Sequence, residues 1–430
     1  MTAQPDSPNT TPTLAKLTTI GVGGVVDRFV EPQSEKEFVA VVRDADAAGL
    51  PLLVIGGGSN LLVSDKPFHG VVVRDKRHGI SVMNGNSNNE TKTGADINMG
   101  TGKSADANGN VAEAGAGEDS DTVEIVAEAG VNWDDFVAYC VSSGFSGVEG
   151  LSGVPGTVGA SVVQNIGAYG QEVASSVSSV RVFDRESDSI CELEHGDMHF
   201  GYRSSALKSS MYSAPATPGD KYFPTPRYVV LSVTFSLQRN ETGEVAFGQL
   251  AKALGVEVGE RMPISAIRNT VLKVRASKGM LEDSSRYDSP WMCDCKDERN
   301  IAQNDISDIK PDFDRHSCGS FFMNPILNRR QAAALPIDAP RFDATLPSGE
   351  PGIKTSAAWL IDHAGFHKGY KVSKEAKAGL STLHTLALTN RGGAKANDVA
   401  ELARTIQNGV EGKFGIRLVP EPVVVGMDLR

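Results

Sequence analysis

The 430-residue sequence predicts an α+β protein of two or three domains. Three observations favour this class. The length exceeds what one small hydrophobic core accommodates, stretches with the alternating apolar pattern of half-buried strands recur, and amphipathic helical patterns stand between them. A Rossmann fold is not predicted, because no G-x-G-x-x-G pattern opens a helix after a strand.

The first half of the chain carries clear start and stop signals. Ser34 and Glu37 form a capping box before apolar residues at helical spacing, which predicts a helix that ends near Gly49. Asn132 is the predicted cap of a second helix, with Cys140 on its apolar face. Short apolar or alternating runs predict strands at 51–55, 70–74, 123–130, 178–183 and 228–237.

Two polar segments interrupt these patterns. Residues 84–122 contain seven acids, two lysines and no aromatic residue, so we expect a disordered loop inserted in a hairpin. Residues 282–316 form a second polar insertion, and residues 1–15 a disordered tail. Asn397 is the predicted cap of a late amphipathic helix, and Arg417 to Gly426 the last strand.

The charge distribution limits the possible partners. The formal net charge is -11, of which the segment 84–122 supplies -5, and such a balance argues against nucleic acid as a partner. No run of about 18 apolar residues predicts a membrane span. The N-terminus has neither a basic start nor an apolar run, so we expect no secretion signal and a cytoplasmic protein.

The five cysteines form no regular framework, which is typical of a reduced protein. Cys293 and Cys295 are one residue too close for a Cys-x-x-Cys knuckle and have no matching pair, so no metal site is predicted. Cys318 is expected to fill space beside Ser320.

Five short segments are candidates for chemistry. Two are rich in glycine, which lets a backbone approach a phosphate closely, although each alone also fits a tight turn. The other three segments centre on an arginine, a serine and a glutamate. Seen alone, the arginine could form a surface salt bridge, the serine could close a turn, and the glutamate could be a charge at a strand edge. The segments are Leu53 to Leu62, Val154 to Gly170, Phe200 to Ser205, Gly319 to Pro325 and Val419 to Val423.

With these segments in this order and spacing, the chain resembles the UDP-N-acetylenolpyruvoylglucosamine reductase family from about Leu17 onward. These are flavoenzymes of bacterial peptidoglycan precursor synthesis. The resemblance implies a two-subdomain FAD-binding module of the vanillyl-alcohol-oxidase type at 16–240. It also implies a C-terminal α/β substrate-binding domain at 241–416 and a final strand at 417–430 that bears Glu421.

The resemblance also implies the ligands and the catalytic residues. FAD is expected to bind noncovalently, NADPH to act as co-substrate, and a nucleotide-sugar to be reduced by a monomer. Ser320 is expected to donate a proton, Arg203 to bind the substrate carboxylate and Glu421 to orient the intermediate. No histidine stands in a sequence context that suggests pairing with Ser320 as a base. The residues expected to bind FAD are Gly56, Gly57, Gly58, Ser59, Asn60, Pro155, Gly156, Gly159, Ala160, Asn165 and Gly167.

Four further residues are expected to contact the substrates. Lys278 and Asn324 align with positions that hold the nucleotide-sugar and the nicotinamide. Phe247 stands where family members usually have a tyrosine, and His384 where some have a glutamine, so both bear on substrate affinity.

Two alternatives remain open at this point. The same flavin module could serve an oxidase or dehydrogenase acting on an alcohol or sugar, which would not need Ser320, Arg203 and Glu421. The chain could also be a flavin-binding regulatory protein without catalysis, for which Phe247 and the two insertions are the only support.

Overall fold

The computed structural model describes residues 12–83, 91–92, 121–211, 223–282 and 312–429. Most of the predicted tail 1–15 and of the insertions 84–122 and 282–316, with Cys293 and Cys295, lies outside the described residues. The described helices are α1 Leu14–Leu17, α2 Glu35–Ala47, α3 Trp133–Ser142, α4 Val158–Val163, α5 Ala206–Ser209, α6 Gly248–Leu254, α7 Ile264–Ala276, α8 Arg329–Ala333, α9 Ala357–His363 and α10 Ala396–Phe414.

The described strands are β1 Val26–Val30, β2 Leu52–Ile55, β3 Leu61–Val63, β4 Phe68–Arg74, β5 Ile80–Met83, β6 Thr91–Lys92, β7 Thr122–Glu128, β8 Phe145–Ser146, β9 Gly167–Ala168, β10 Gln171–Glu172, β11 Val177–Asp184, β12 Ser189–Glu194, β13 Tyr228–Arg239, β14 Thr242–Glu244, β15 Arg261–Pro263, β16 Ile326–Leu327, β17 Phe342–Thr345, β18 Pro351–Lys354, β19 Ala378–Leu380, β20 Leu388–Asn390 and β21 Val423–Val425. All five strands predicted for the first half of the chain are present, with ends shifted by one or two residues.

A small parallel sheet opens the fold, in the order β1-β4-β2. Helix α2 packs on it through buried side chains that include Phe38 and Val42. The helix begins where the capping box predicts, because Ser34 Oγ accepts from the backbone N–H of Glu37 at 3.2 Å. The Glu37 carboxylate closes the box on the N–H of Gln33, one residue before the expected partner, at 2.9 Å.

A larger antiparallel sheet follows, in the order β12-β11-β13-β7-β5-β6, with β8 paired to β13. Helix α3 packs on it, and the rings of Phe136 and Phe235 have centroids 4.4 Å apart. Asn132 Oδ1 accepts from two N–H groups of the first turn of α3 at 3.0 and 3.2 Å, which confirms the predicted cap. Cys140 is fully buried on this helix, as predicted.

The C-terminal part has its own hydrophobic core around α10. Val399, Leu402, Ile406 and Val410 are buried along one face of this helix, as their spacing predicts. They belong to one cluster with residues of α9 and of the β19–β20 hairpin. This cluster is separate from those that the small and the large sheet bury, although it also includes Ile20, Val22 and Leu62 from the first part of the chain.

Asn397 does not cap α10, contrary to the prediction. The helix starts at Ala396, so Asn397 lies in its first turn. The N–H of Ala396 donates to Asp65 Oδ2 at 2.7 Å, and the N–H of Lys395 donates to Asp398 Oδ2 at 2.8 Å. Because two carboxylates satisfy these amides, the helix begins two residues earlier than an Asn397 cap would require.

The chain then returns to the first part of the fold, where β21 pairs in parallel with β3. The strand predicted from Arg417 to Gly426 is limited to Val423–Val425. Pro420 and Pro422 have no N–H for a strand ladder, which explains the shorter element. Glu421, between them, donates its N–H to Phe321 O at 2.8 Å.

Candidate functional site

One cavity of about 460 Å³ is bounded by all three parts of the fold. Its walls come from the loop after β2, from α4 and its flanking residues, from the turn before α5 and from the C-terminal part. Every residue predicted to bind FAD except Asn165 lines it, namely Gly56, Gly57, Gly58, Ser59, Asn60, Pro155, Gly156, Gly159, Ala160 and Gly167.

The two glycine segments approach each other closely. A Cβ on Gly57 would lie 2.9 Å from Gly156 Cα. Gly58 has a left-handed φ of +65°, and a Cβ there would lie 2.0 Å from Leu17 O. Side chains at these positions would collide with main chain, so the segments form a cradle of backbone that fits a dinucleotide such as FAD.

The segment 155–170 is not a loop throughout. Thr157 caps the short helix α4 by accepting from an N–H of its first turn at 3.4 Å. The N–H groups of Val158 and Gly159 donate to Val131 O and Ala129 O, both at 2.9 Å. These two amides therefore hold α4 against the turn after β7.

Asn165 does not line this cavity, and its side chain makes hydrogen bonds within the fold, so its contact with FAD stays a prediction. It is 1% exposed and adopts a left-handed φ of +49°. Its Nδ2 donates to Glu172 Oε2 at 2.9 Å and to Gly201 O at 3.0 Å, and its Oδ1 accepts from the N–H of Ala174 at 3.0 Å. The side chain thus ties the end of α4 to the turn that carries Arg203.

All three nitrogens of the Arg203 guanidinium donate a hydrogen bond within the chain. Its Nε donates to Glu421 Oε1 at 3.1 Å, its Nη1 to Asn165 O at 3.3 Å and its Nη2 to Gly167 O at 2.7 Å. A guanidinium has five N–H groups, so two remain for a ligand. The structure therefore aims a fixed cation into the cavity.

Glu421 is enclosed, with its side chain 13% exposed. Burial raises the pKa of Glu421, while the positive charges of Arg203 and Lys208 oppose this rise. Because Arg203 contacts the carboxylate directly, the ionised form is stabilised where burial alone would disfavour it.

Ser320 and His384 come together although 64 residues separate them. Both line the cavity, and Ser320 Oγ lies 3.5 Å from His384 Nε2. Sequence context did not suggest this pair, because it arises from the packing of the loop after β19 and not from local sequence. Burial, together with the charges of Lys278 and Lys368, lowers the pKa of His384 to about 4. The imidazole is therefore neutral near pH 7.

A network of hydrogen bonds fixes the loop that carries His384. Ser381 Oγ accepts from two backbone N–H groups at 3.0 Å, one of them that of His384. Asp314 accepts from the N–H and the hydroxyl of Thr382 at 2.8 and 2.6 Å and from Arg391 Nη1 at 2.7 Å. Burial raises the pKa of Asp314, but these hydrogen bonds outweigh it and lower the pKa.

Two of the residues predicted to contact the substrate lie together at the cavity wall. Lys278 Nζ donates to Gln249 Oε1 at 2.8 Å and lies 5.8 Å from the centroid of the Tyr169 ring. Phe247 packs edge to face on the same ring, with centroids 5.9 Å apart. Burial and the charge of Arg275 lower the pKa of Lys278. A cation and two aromatic rings thus share one side of the cavity.

Asn324 is not among the residues that line this cavity. Its Oδ1 accepts from the N–H of Ala357 at 2.9 Å, at the start of α9. Its own N–H donates to Tyr202 Oη at 3.3 Å. The structure assigns it a connecting role between α9 and Tyr202, and its contact with substrate stays a prediction.

Several residues of the wall were not predicted from the sequence, among them Lys208, Gln164, Tyr169 and Arg275. Arg275 is 5% exposed, and its Nε donates to Gly153 O at 2.9 Å. Gln164 and Tyr169 lie inside the glycine-rich segment, and Lys208 lies five positions after Arg203. Their closeness in sequence to the glycine-rich segment and to Arg203 was the signal that could have identified them.

Cys318 is buried and lines the cavity, which agrees with its predicted space-filling role. Its Sγ donates to Leu61 O at 3.1 Å. Within the described ranges, no group of three or more His, Cys, Asp or Glu side chains is placed to hold a metal ion.

Comparison with known proteins gives two family matches. Residues 311–425 match the model described as UDP-N-acetylenolpyruvoylglucosamine reductase, C-terminal domain. Residues 26–93 and 98–193 match the model of an FAD binding domain.

Full-length relatives give the same result. The chain is 38% identical over 423 residues to the UDP-N-acetylenolpyruvoylglucosamine reductase of Thermobifida fusca, covering 97% of each chain. It is 40% identical over 421 residues to that of Nocardia farcinica, covering 97% of this chain and 89% of the other. The crystal structure of the reductase from Thermus caldophilus has the same fold, with a TM-score of 0.53 and 22% identity over 96% of this chain and 97% of that one.

Proposed function

We propose that this chain, which belongs to the UDP-N-acetylenolpyruvoylglucosamine reductase family, reduces UDP-N-acetylglucosamine enolpyruvate to UDP-N-acetylmuramate with NADPH and FAD. The product is a precursor of peptidoglycan. The observation that carries the proposal is that Ser320, Arg203 and Glu421 converge in one cavity with both glycine segments.

Bound FAD supplies a hydride, received from NADPH, to the methylene carbon of the enolpyruvyl group. Residues 56–60 and 155–160 would hold the cofactor, because their main chain forms the cradle. The reaction also needs a proton on the neighbouring carbon, so that two electrons and two hydrogens add across the double bond. A protein group at the cavity wall can supply that proton.

Arg203 binds the carboxylate of the enolpyruvyl group. Negative charge spreads onto this carboxylate as the hydride arrives, so a fixed cation stabilises the transition state more than the ground state. The hydrogen bonds to Asn165 O, Gly167 O and Glu421 keep the guanidinium plane in place before the substrate binds.

Ser320 donates the proton. Its hydroxyl lies at the cavity wall and can give up a proton, and the neighbouring His384 Nε2, 3.5 Å away, can help to restore it. Because His384 is neutral near pH 7, it acts as a hydrogen-bond partner and not as a charged acid. Glu421 orients the carboxylate side of the intermediate through its contact with Arg203.

Lys278 binds the diphosphate of the nucleotide-sugar as a flexible point charge. Its neighbour Phe247 is 42% exposed and offers a ring edge without a hydroxyl. We therefore expect this side of the cavity to bind the nucleotide by charge and ring packing.

Substitution of Ser320 tests the proposal. Ser320→Ala should leave flavin bleaching by NADPH close to the parent rate, because that step needs no proton from the serine. Reoxidation of the flavin by the enolpyruvyl sugar should slow by about 10² to 10⁴-fold, the usual worth of a positioned proton donor. Stopped-flow spectra at the flavin absorbance follow both steps.

Ser320→Cys serves as the matched control, since a thiol also donates a proton and should recover part of the second step. If Ser320→Ala slows bleaching as much as turnover, the serine is structural and the proposed role is wrong. Rapid reoxidation by oxygen without enolpyruvyl turnover in the parent protein would favour the oxidase alternative. Bleaching by NADPH with no turnover would favour a regulatory flavin protein.

The cytoplasmic location and the monomeric state stay predictions. Among the described helices, none combines the length and the apolar character needed to cross a membrane. Light scattering on the FAD-loaded protein across a tenfold range of concentration would decide the state of association.

A further inference from the structure

Lys208 lies against the turn that carries Arg203. It belongs to α5, whose start is capped by Ser205, and Ser205 Oγ accepts from the backbone N–H of Lys208 at 3.2 Å. Lys208 Nζ donates to the carbonyl oxygen of Arg203 at 3.0 Å. The lysine also lines two cavities, the one with Ser320 and a second of about 410 Å³ bounded by Pro420, Pro422 and Val423.

The backbone of Arg203 needs support. Its φ of +54° is in the left-handed region, which an arginine rarely adopts. Gly201 and Ser204 close the turn by exchanging N–H···O bonds of 3.1 Å in both directions. A positive φ at the third residue of such a turn normally selects glycine or asparagine. Strain of this kind persists at a functional site only where surrounding contacts hold it, and Lys208 Nζ is one such contact.

Lys208 also acts on Glu421 by its charge. The charged or titratable groups that face this carboxylate in the described structure are Arg203, Lys208 and Tyr202. Burial raises the pKa of Glu421, and Arg203 and Lys208 both act to lower it. Loss of the lysine charge would leave Arg203, among the described residues, to stabilise the ionised carboxylate alone.

We propose that Lys208 is a positioning residue of this reaction, which fixes the left-handed turn at Arg203 and supplies a second positive charge to Glu421. The inference rests on the proposed function, because the roles of Arg203 and Glu421 are those given above. It adds a residue that acts through the backbone of Arg203 and through the charge on Glu421.

The test compares Lys208→Met, which keeps the length and removes the charge, with Lys208→Arg, which keeps the charge and changes the shape. The readouts are kcat and KM for the enolpyruvyl sugar between pH 5 and 9, and the dissociation constant of UDP-N-acetylmuramate from its effect on the flavin spectrum. Lys252→Met on the exposed face of α6 is the control for loss of one lysine.

Lys208→Met should lower kcat/KM by about 10²-fold, the usual cost of misplacing a binding group by about 1 Å. The pKa of Glu421 should rise, because one of the two cations that stabilise its ionised form is lost. The pH below which kcat/KM and product binding decline, the acidic limb of each profile, should therefore move up by about one pH unit. Lys208→Arg should lower kcat but leave the acidic limb in place. Flavin bleaching by NADPH should stay within about twofold of the parent in both variants.

A Lys208→Met profile that overlays the parent in magnitude and in its acidic limb would overturn the inference. The same holds if Lys208→Arg shifts the limb as far as Lys208→Met, because the effect would then not depend on charge. Should Lys208→Met fail to retain FAD, Lys208→Gln replaces it in the same comparison. Failure of the parent protein to turn over the enolpyruvyl sugar would instead refute the proposed function.

Discussion

At the scale of single residues, the surroundings of His384 keep its imidazole neutral near pH 7. Its pKa lies near 4, because burial and the nearby charges of Lys278 and Lys368 disfavour the imidazolium. A histidine without these neighbours titrates near pH 6.5. The unfolded chain therefore takes up a proton at this residue between about pH 6.5 and 4, while the folded chain does not.

This difference gives a prediction for stability against pH. The group contributes stability that is present above pH 6.5 and is lost as the pH falls toward 4. His384→Gln, which cannot titrate, should lose less of its free energy of unfolding than the parent between pH 7 and pH 4.5. Urea unfolding of the FAD-loaded proteins at several pH values measures this. His78→Gln, at an exposed histidine, should follow the parent curve, and parallel curves for parent and His384→Gln would contradict the prediction.

At the scale of elements, the position of α4 depends on the absence of a side chain at Gly159. A Cβ there would lie 2.6 Å from Ala129 Cβ and 3.1 Å from Ala129 Cα. Gly159→Ala should therefore push α4 away from the turn after β7, destabilise the fold by about 1–3 kcal/mol and weaken FAD binding.

Gly412→Ala is the matched control for that change. Gly412 lies in α10, and a Cβ there would meet nothing within 4 Å. An alanine in a helix interior is more stable than glycine by about 0.5–1 kcal/mol, so this variant should unfold at a higher temperature than the parent. Thermal unfolding measures the stability of both variants, and FAD titration measures their affinity for the cofactor. A Gly159→Ala protein with parental affinity for FAD would refute the role assigned to Gly159.

The elements also show what sequence patterns could and could not predict. Helix α2, helix α3 and five strands of the two sheets, β2, β4, β7, β11 and β13, follow from local signals such as Ser34, Asn132 and short apolar or alternating runs. The start of α10 does not, because its amides are satisfied by Asp65 from a distant part of the chain. The Ser320–His384 pair was likewise not predictable from local sequence, since it depends on how two separate loops pack. The family and the FAD cofactor, both predicted from five motifs, are confirmed by the matched models and relatives.

At the scale of the whole molecule, the acidic insertion can be tested as a unit. It lies outside the described residues for most of its length, but its flanks are described: β5 and β7 are antiparallel neighbours, with Met83 opposite Glu124. Two strands in this register can be joined by a two-residue turn. Replacing residues 86–121 with Asn-Gly should therefore leave FAD content unchanged and kcat within about twofold, since a loop changes length at small entropic cost.

The replacement also removes seven acids and two lysines, which reduces the net charge from -11 to -6. A second variant, with a neutral Gly-Ser linker as long as the original segment, separates the effect of charge from that of length. Absorbance of bound flavin and steady-state rates measure both proteins. A colourless Asn-Gly protein would contradict the prediction.

Because β21 pairs with β3, the site combines a segment from early in the chain with one of the last segments that the ribosome synthesises. Asn60 Nδ2 donates to the carbonyl of Glu421 across a separation of 361 residues, and β21 aligns directly beside the strand that follows Asn60. A nascent chain that has passed residue 170 already contains both glycine segments. It still lacks the carboxylate that Arg203 contacts, and the strand that brings it there. An interrupted translation product would therefore contain the residues of the cradle without Glu421, and the carboxylate partner of Arg203 is among the last groups of the site to leave the ribosome.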